Sequence, residues 1–291
     1  MRICVADVYL NLIVDIDQEL LTETAYAEEI EESQDNRFWR TEDDNTGNPI
    51  HIYPLAQLPP AGGKTIWESD TCTVRGSGDV EVRIYHDGII KQPYAFYSEG
   101  KDRGIRVFCE EGWLRRNYRR NYLFNVCALE KRLIQEDRIV FHSCYIQVQG
   151  KGILFSGDSG IGKSTQGALW EAYAGALLVN GDRSALGKCG EKWYVYGFPF
   201  SGTSGICRNI TSPLHAIVFL KQAKDNHMRR IDAAEAIRLL WSQMTVNQWN
   251  PEFVDMVLNQ INMLAAEVPV YELSCTPDIE AVTCAREILH I

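Results

Sequence analysis

The sequence has no run of about eighteen apolar residues, the least that reads as a membrane-crossing helix, so no span is expected. It also lacks an excess of positive charge. With 29 Lys and Arg against 39 Asp and Glu, the net charge is −10, which argues against nonspecific binding to nucleic acid or anionic lipid. The basic cluster Arg115-Arg116 and Arg119-Arg120, interleaved with Trp113, Tyr118 and Tyr122, reads as the solvated face of a helix. Nine cysteines are scattered from Cys4 to Cys284, and none forms a Cys-x-x-Cys pair. An odd number without metal-ligand spacing excludes a disulfide framework or a zinc knuckle as the organising principle. Nor does the start resemble a secretory leader, since Asp7 breaks Ile3-Cys4-Val5-Ala6 and Asp15 and Asp17 follow. A reduced, cytoplasmic protein is expected. Internal repeats and low-complexity tracts are absent as well. What remains is ordinary globular composition, 45% hydrophobic and 23% charged, in a 291-residue chain long enough for about two domains.

Against this background one motif stands out. Gly157-Asp158-Ser159-Gly160-Ile161-Gly162-Lys163-Ser164 is an unbroken Gly-x-x-x-x-Gly-Lys-Ser loop, followed by Thr165. Its glycines allow the backbone to turn tightly and aim N–H groups at a polyphosphate. Lys163 supplies charge for the outer phosphates, and the Ser164 hydroxyl suits magnesium. By average residue frequencies, a chain of this length meets the pattern by chance on the order of one time in a hundred. The flanks agree with function: Ile153-Leu154-Phe155-Ser156 reads as a buried strand, and Ala168, Leu169, Ala172, Tyr173 and Ala176 recur at helical spacing. Strand, loop and helix together put phosphates at a helix N-terminus.

The first hundred residues are rich in strand and turn signals. Thr73-Val74-Arg75 and residues 80–85 alternate around Gly76-Ser77-Gly78-Asp79 as a hairpin, and Gly100-Lys101-Asp102-Arg103-Gly104 separates two further strands. Residues 29–49, containing Asp43-Asp44-Asn45-Thr46-Gly47, read as an acidic mobile loop. One long helix is expected over residues 110–136, then a strand, Ile139-Val140-Phe141-His142. Tyr145-Ile146-Gln147-Val148 and Gly152-Ile153-Leu154-Phe155 form a hairpin about Gly150-Lys151, so the loop's strand has an antiparallel neighbour and is expected at one edge of a sheet. Downstream come strand 176–179, a hairpin over 184–196, a small-residue loop at 199–205, buried strand 216–220, helices 232–244 and 250–266, strand 268–273 and a final helix from Pro277.

Three further residues are candidates for chemistry. Asp182 ends a buried strand beside the loop, where a carboxylate can ligate magnesium or take a hydroxyl proton. His142, at a strand end, can orient a substrate or share that proton, although a satisfied core histidine fits the same pattern equally. Arg208 can meet a transferred phosphate, but a surface arginine is the preferred reading.

At these residues the sequence resembles the bacterial HPr kinase/phosphorylase family and its broader HPr-kinase-like relatives. The likeness runs from His142 through residues 148–155 and 157–164 to Asp182, and then through Gly197-Phe198-Pro199-Phe200-Ser201-Gly202 and residues 212–220. It implies a mixed α/β fold with a phosphoenolpyruvate-carboxykinase-like P-loop core over 139–291; the likeness does not extend upstream, where the strand and helix signals give a smaller, mainly β part at 1–110 and a linking helix at 111–138. It also implies ATP and Mg2+ as cofactors and a serine hydroxyl as acceptor. The implied catalytic residues are Asp182, Lys163 and His142; Gly157 to Thr165 hold nucleotide, and Ser164 and Asp182 hold the metal. The HPr enzymes carry two adjacent aspartates where this chain has Gly181-Asp182, and glutamate where it has Thr165; their glycine-rich substrate signature is not visible. Some relatives phosphorylate serine in ribosomally made peptides such as lasso precursors, which makes a peptide or protein the expected partner alongside nucleotide. A kinase of a small metabolite such as free serine, and a nucleotide-binding switch with little turnover, are the alternatives; self-association is left open.

Overall fold

A computed structural model describes residues 2–15, 38–40, 49–58, 60, 62–100, 104–117 and 121–291. The acidic tract around 43–47, residues 101–103 of the expected Gly100–Gly104 loop, and Tyr118, Arg119 and Arg120 of the basic cluster lie outside these residues. The chain divides into two compact units, Met1–Leu129 and Glu130–Ile291.

Among the described residues the first unit forms a nine-stranded mixed sheet. Its strands are β1 (Arg2–Val5), β2 (Val8–Val14), β3 (Trp39–Arg40), β4 (Pro49–Leu55), β5 (Lys64–Glu68), β6 (Cys72–Ser77), β7 (Val80–His86), β8 (Pro93–Gly100) and β9 (Gly104–Glu110), in the order β3-β1-β2-β4-β9-β8-β7-β6-β5. The expected hairpin is β6–β7, closing at Ser77↔Val80, and the pairs β2–β4 and β4–β9 are parallel. Helix α1 (Glu111–Asn117) follows. The single helix expected over 110–136 is instead α1, a 3-10 segment at Asn121–Val126, and α2 (Leu129–Gln135). Asn, Tyr, Phe and Val in the middle are weak helix formers, and Ala128 in the left-handed region (φ 49) breaks the path before α2.

The second unit is built on two long strands that serve two sheets. In β10 (Arg138–Val148), residues 138–142 pair with β13 (Arg183–Cys189), and residues 143–148 pair with β11 (Lys151–Ser156). The segment carrying His142 and the first arm of the hairpin are therefore one strand. Likewise β15 (Thr211–Gln222) leaves β14 (Lys192–Gly197) to run parallel with β11 and then with β17 (Val270–Cys275). Strands β12 (Leu177–Asn180) and β16 (His227–Arg230) complete the mixed sheet. The hairpin preceding the glycine loop is present, but β11 is not an edge strand. It has β10 antiparallel on one side and β15 parallel on the other, because the apolar run at 216–220 needs an interior position.

Alternation along β11 and β15 buries both sheet faces. Leu154, Ile217 and Phe219 join a core with α4 (Ala233–Gln243), α5 (Pro251–Glu267) and residues of β13 and β14. Ile153, Phe155, Val218 and Leu220 face the opposite core, with Trp170 of α3 (Lys163–Ala174) and Val282 and Ala285 of α6 (Ile279–Leu289). The caps follow the sequence: Asp232 accepts from Glu235 N–H before α4, and Asn250 accepts from Phe253 N–H before α5, which begins with Pro251. At Gly152 a Cβ would come within 2.3 Å of Val195, so a side chain there would force the two sheets apart. The result is a mixed α/β architecture with a smaller, mainly β N-terminal part.

Candidate functional site

Strand β11 delivers the chain into the glycine loop, and α3 starts at Lys163. Gly157 (φ 134) and Gly162 (φ 117) hold left-handed conformations that other residues resist, which turn the loop back onto the helix axis. Gly162 is the N-cap and no side chain caps the helix, so the N–H groups of the first turn face outward. Lys163 is only 8% exposed. Its Nζ donates to the carbonyls of Gly157 (2.8 Å) and Asp158 (3.1 Å), inside the loop. Burial pushes the ammonium below its ordinary range, against the opposing pull of Asp182 and Asp158. Asp158, Ser159, Gly160, Ser164 and Thr165 are exposed around the loop, while Ile161 is half-buried. Behind α3, Trp170 packs on Phe155 with ring centroids 5.9 Å apart.

Asp182 sits in the turn between β12 and β13, and a neighbouring residue fixes that turn. Asn180, fully buried, accepts from the N–H groups of Asp182 (2.8 Å) and Arg183 (2.9 Å) through Oδ1. Its Nδ2 donates to the carbonyls of Phe198 (2.6 Å) and Phe200 (2.9 Å). One amide thus uses both donors and both acceptor directions to lock the turn to the loop at 198–205. Packing tightens the lock: a Cβ on Gly181 would lie 2.3 Å from Ser204 Oγ. Asn180→Ala is therefore expected to destabilise the chain by about 2 kcal/mol, because buried N–H and C=O groups lose their partners. Chemical denaturation that finds an unchanged midpoint would remove Asn180 from this role.

His142 stands where β10 changes sheets. Its Nε2 lies 3.7 Å from Asp182 Oδ1, and its Nδ1 is 3.2 Å from Gln243 Oε1. The His142 carbonyl accepts from Ser156 Oγ (2.7 Å), which ties it to the strand leading into the loop, and Ser143 N–H donates to the Asp182 carbonyl (3.0 Å), which ties the Asp182 turn to β10. Burial lowers the His142 pKa, helped by Lys163, with Asp182 opposing. Arg183 approaches the other Asp182 oxygen (Nε–Oδ2 3.5 Å), and its guanidinium lies over the Phe200 ring at 5.7 Å.

The structure thus gathers Lys163, Asp182 and His142 within electrostatic reach of one another. Arg208 is placed differently. Its N–H donates to Val179 O, and its Nε is buried without a hydrogen-bond partner among the described residues. Phe198 is fully buried and packs edge-on against half-buried Phe200 at 5.0 Å, so Phe198 is core. Asn180, Gln243 and Ser156 were not legible as site residues. Asn180 sits in an Asn-Gly-Asp string that reads as a turn, and Gln243 is a hundred and one positions from its partner.

A search of solved structures finds, among others, the HPr(Ser) kinase/phosphatase from Coxiella burnetii. It is 14% identical, with 52% of this chain and 92% of that one covered, at a TM-score of 0.31. No protein-family model and no curated protein sequence matches.

Proposed function

We propose that this protein is a kinase that transfers the γ-phosphate of ATP to a serine hydroxyl of a peptide or protein, a ribosomally made precursor peptide being the specific class. The observation that carries the reading is the buried Lys163 ammonium inside an uncapped glycine loop, within electrostatic reach of the Asp182–His142 pair. The motif resemblance supports it independently of the geometry. The loop at 157–162 and the N–H groups of α3 cradle the phosphates, and Lys163 neutralises their charge. The serine oxygen attacks the γ-phosphorus in line, and the bond to the β,γ-bridging oxygen breaks. ADP leaves, and the hydroxyl proton passes to the Asp182–His142 pair. Magnesium, when bound, would offset phosphate charge. Ser164, exposed on the first turn of α3, and Asp182 are the residues that would hold it. Among the described residues no cluster of three His, Cys, Asp or Glu forms a metal cage.

For the acceptor, the loop at 198–205 offers exposed Gly202 and Gly205, where an extended backbone can approach. Ordering a flexible peptide there costs about 2–5 kcal/mol. The test incubates the protein with magnesium-ATP and, separately, a serine-bearing precursor peptide, HPr and free serine, reading phosphorylation by mass. Phosphopeptide is the expected product. HPr or free serine as the sole product would overturn the acceptor class, and no phosphate transfer to any acceptor would favour a nucleotide-binding switch.

A further inference from the structure

Gln243 closes α4, and the chain beyond it is drawn alongside β10. Met244 forms an antiparallel bridge with Phe141, and Thr245 N–H donates to Val140 O at 2.9 Å. This path brings the Gln243 amide to the His142 ring, and a relay of hydrogen bonds sets which way the amide points. Ser242 Oγ donates its hydrogen to Leu239 O (2.8 Å), so towards Gln243 it can only accept. It accepts from Gln243 Nε2 at 3.3 Å, which leaves Oε1 on His142 Nδ1 at 3.2 Å. An amide oxygen has no hydrogen to give, so Nδ1 must carry the ring proton. In the neutral ring Nε2 is then bare, and it faces Asp182 Oδ1 at 3.7 Å. Nε2 and Oδ1 are then both proton acceptors, and a hydroxyl brought between them can give its one hydrogen to either.

We infer that Gln243 is a positioning residue that holds His142 in the Nδ1–H form, so that a bare Nε2 and the Asp182 carboxylate together meet the hydroxyl of the phosphate acceptor. The functional half of this rests on the kinase reading; the tautomer does not. The charged groups around the ring are Lys163, Arg183 and Asp182. Burial and the two cations favour the neutral ring in which the tautomer has meaning, and Asp182 and the Gln243 hydrogen bond oppose them.

The experiment reads the imidazole nitrogens of the full chain by long-range 15N–1H NMR at mildly alkaline pH, with His142→Asn identifying the signals. Wild type is expected to show a protonated Nδ1 and a bare Nε2 at His142. Gln243→Leu should revert to the Nε2–H form usual for a free side chain, and Gln243→Glu, whose carboxylate also only accepts, should keep Nδ1–H. Wild type with a protonated Nε2, or Gln243→Leu that keeps Nδ1–H, overturns the inference. With an acceptor in hand, Gln243→Leu should lower kcat about tenfold or more with KM for ATP unchanged. Gln243→Glu, which keeps the acceptor on Nδ1, should restore kcat. An unaltered kcat in a Gln243→Leu protein that has lost its tautomer would overturn the positioning role. The NMR result needs no turnover, so a chain that phosphorylates nothing still confirms or refutes the tautomer. Conversely, a chain that phosphorylates peptide with the opposite tautomer leaves the kinase reading standing and removes Gln243 from it.

Discussion

Lys163→Ala is expected to eliminate magnesium-ATP binding measurable by calorimetry, while the fold persists. The side chain is almost entirely buried, and its charge is held inside the loop by two carbonyls. When a polyphosphate is bound, the same ammonium meets the outer phosphates. Each charge-assisted hydrogen bond lost contributes about 1.5–3 kcal/mol. Two such bonds correspond to at least about a hundredfold in Kd. The loop carbonyls of Gly157 and Asp158 then also point unopposed at the incoming anion. Stability should change only modestly: the Gly157 and Asp158 carbonyls lose the ammonium, but Asp158 is exposed to water, a buried charge is removed and alanine is the better helix former at this position. Far-UV circular dichroism and the melting temperature check that half. Unchanged nucleotide affinity in a folded variant would show that the loop is not the phosphate site.

How much of this was readable depends on the distance over which each signal acts. The β11–loop–α3 unit is local, and its order follows from an apolar tetrapeptide, a fixed glycine spacing and a helical repeat. The hairpin at 145–155 is equally local and holds in the structure, and α4 and α5 begin within a residue of the expected starts, behind the caps Asp232 and Asn250. Pairing across the sheet is not local. That β11 sits between β10 and β15 depends on residues 214–219, some sixty positions downstream, and nothing within 145–156 specifies a second neighbour. The break between α1 and α2 escaped for a different reason, since apolar spacing persists through 121–126 while the backbone departs from a helix there. At the site, Lys163 and Asp182 were legible because their chemistry is unusual for their positions. Asn180 and Gln243 were not, because a polar residue near a turn or a helix end is common and only the fold reveals what its amide holds.

Asp182→Asn is expected to leave the fold intact and to cut phosphoryl transfer by at least about a hundredfold, the lower range for loss of a general base. The backbone of the turn does not depend on the carboxylate: Asp182 N–H is held by Asn180, and its carbonyl by Ser143 N–H. An amide of the same shape therefore keeps the turn but can neither take a hydroxyl proton nor offer full charge to a metal. Packing opposes a second carboxylate at the adjacent position, because an aspartate at Gly181 would drive its Cβ to 2.3 Å from Ser204 Oγ. His142→Ala should cost less, since Asp182 still accepts the proton in its absence. The pH dependence follows from the same pair. His142 has its pKa held below the ordinary 6.5, chiefly by burial, and acts only when neutral. Wild-type kcat should therefore be level as pH falls to that value and decline only beneath it, as the ring takes up its proton. In His142→Ala that limb should be absent. Turnover of Asp182→Asn close to wild type, with saturating nucleotide and acceptor, would return Asp182 to the role of a turn residue and leave the hydroxyl proton to His142 alone.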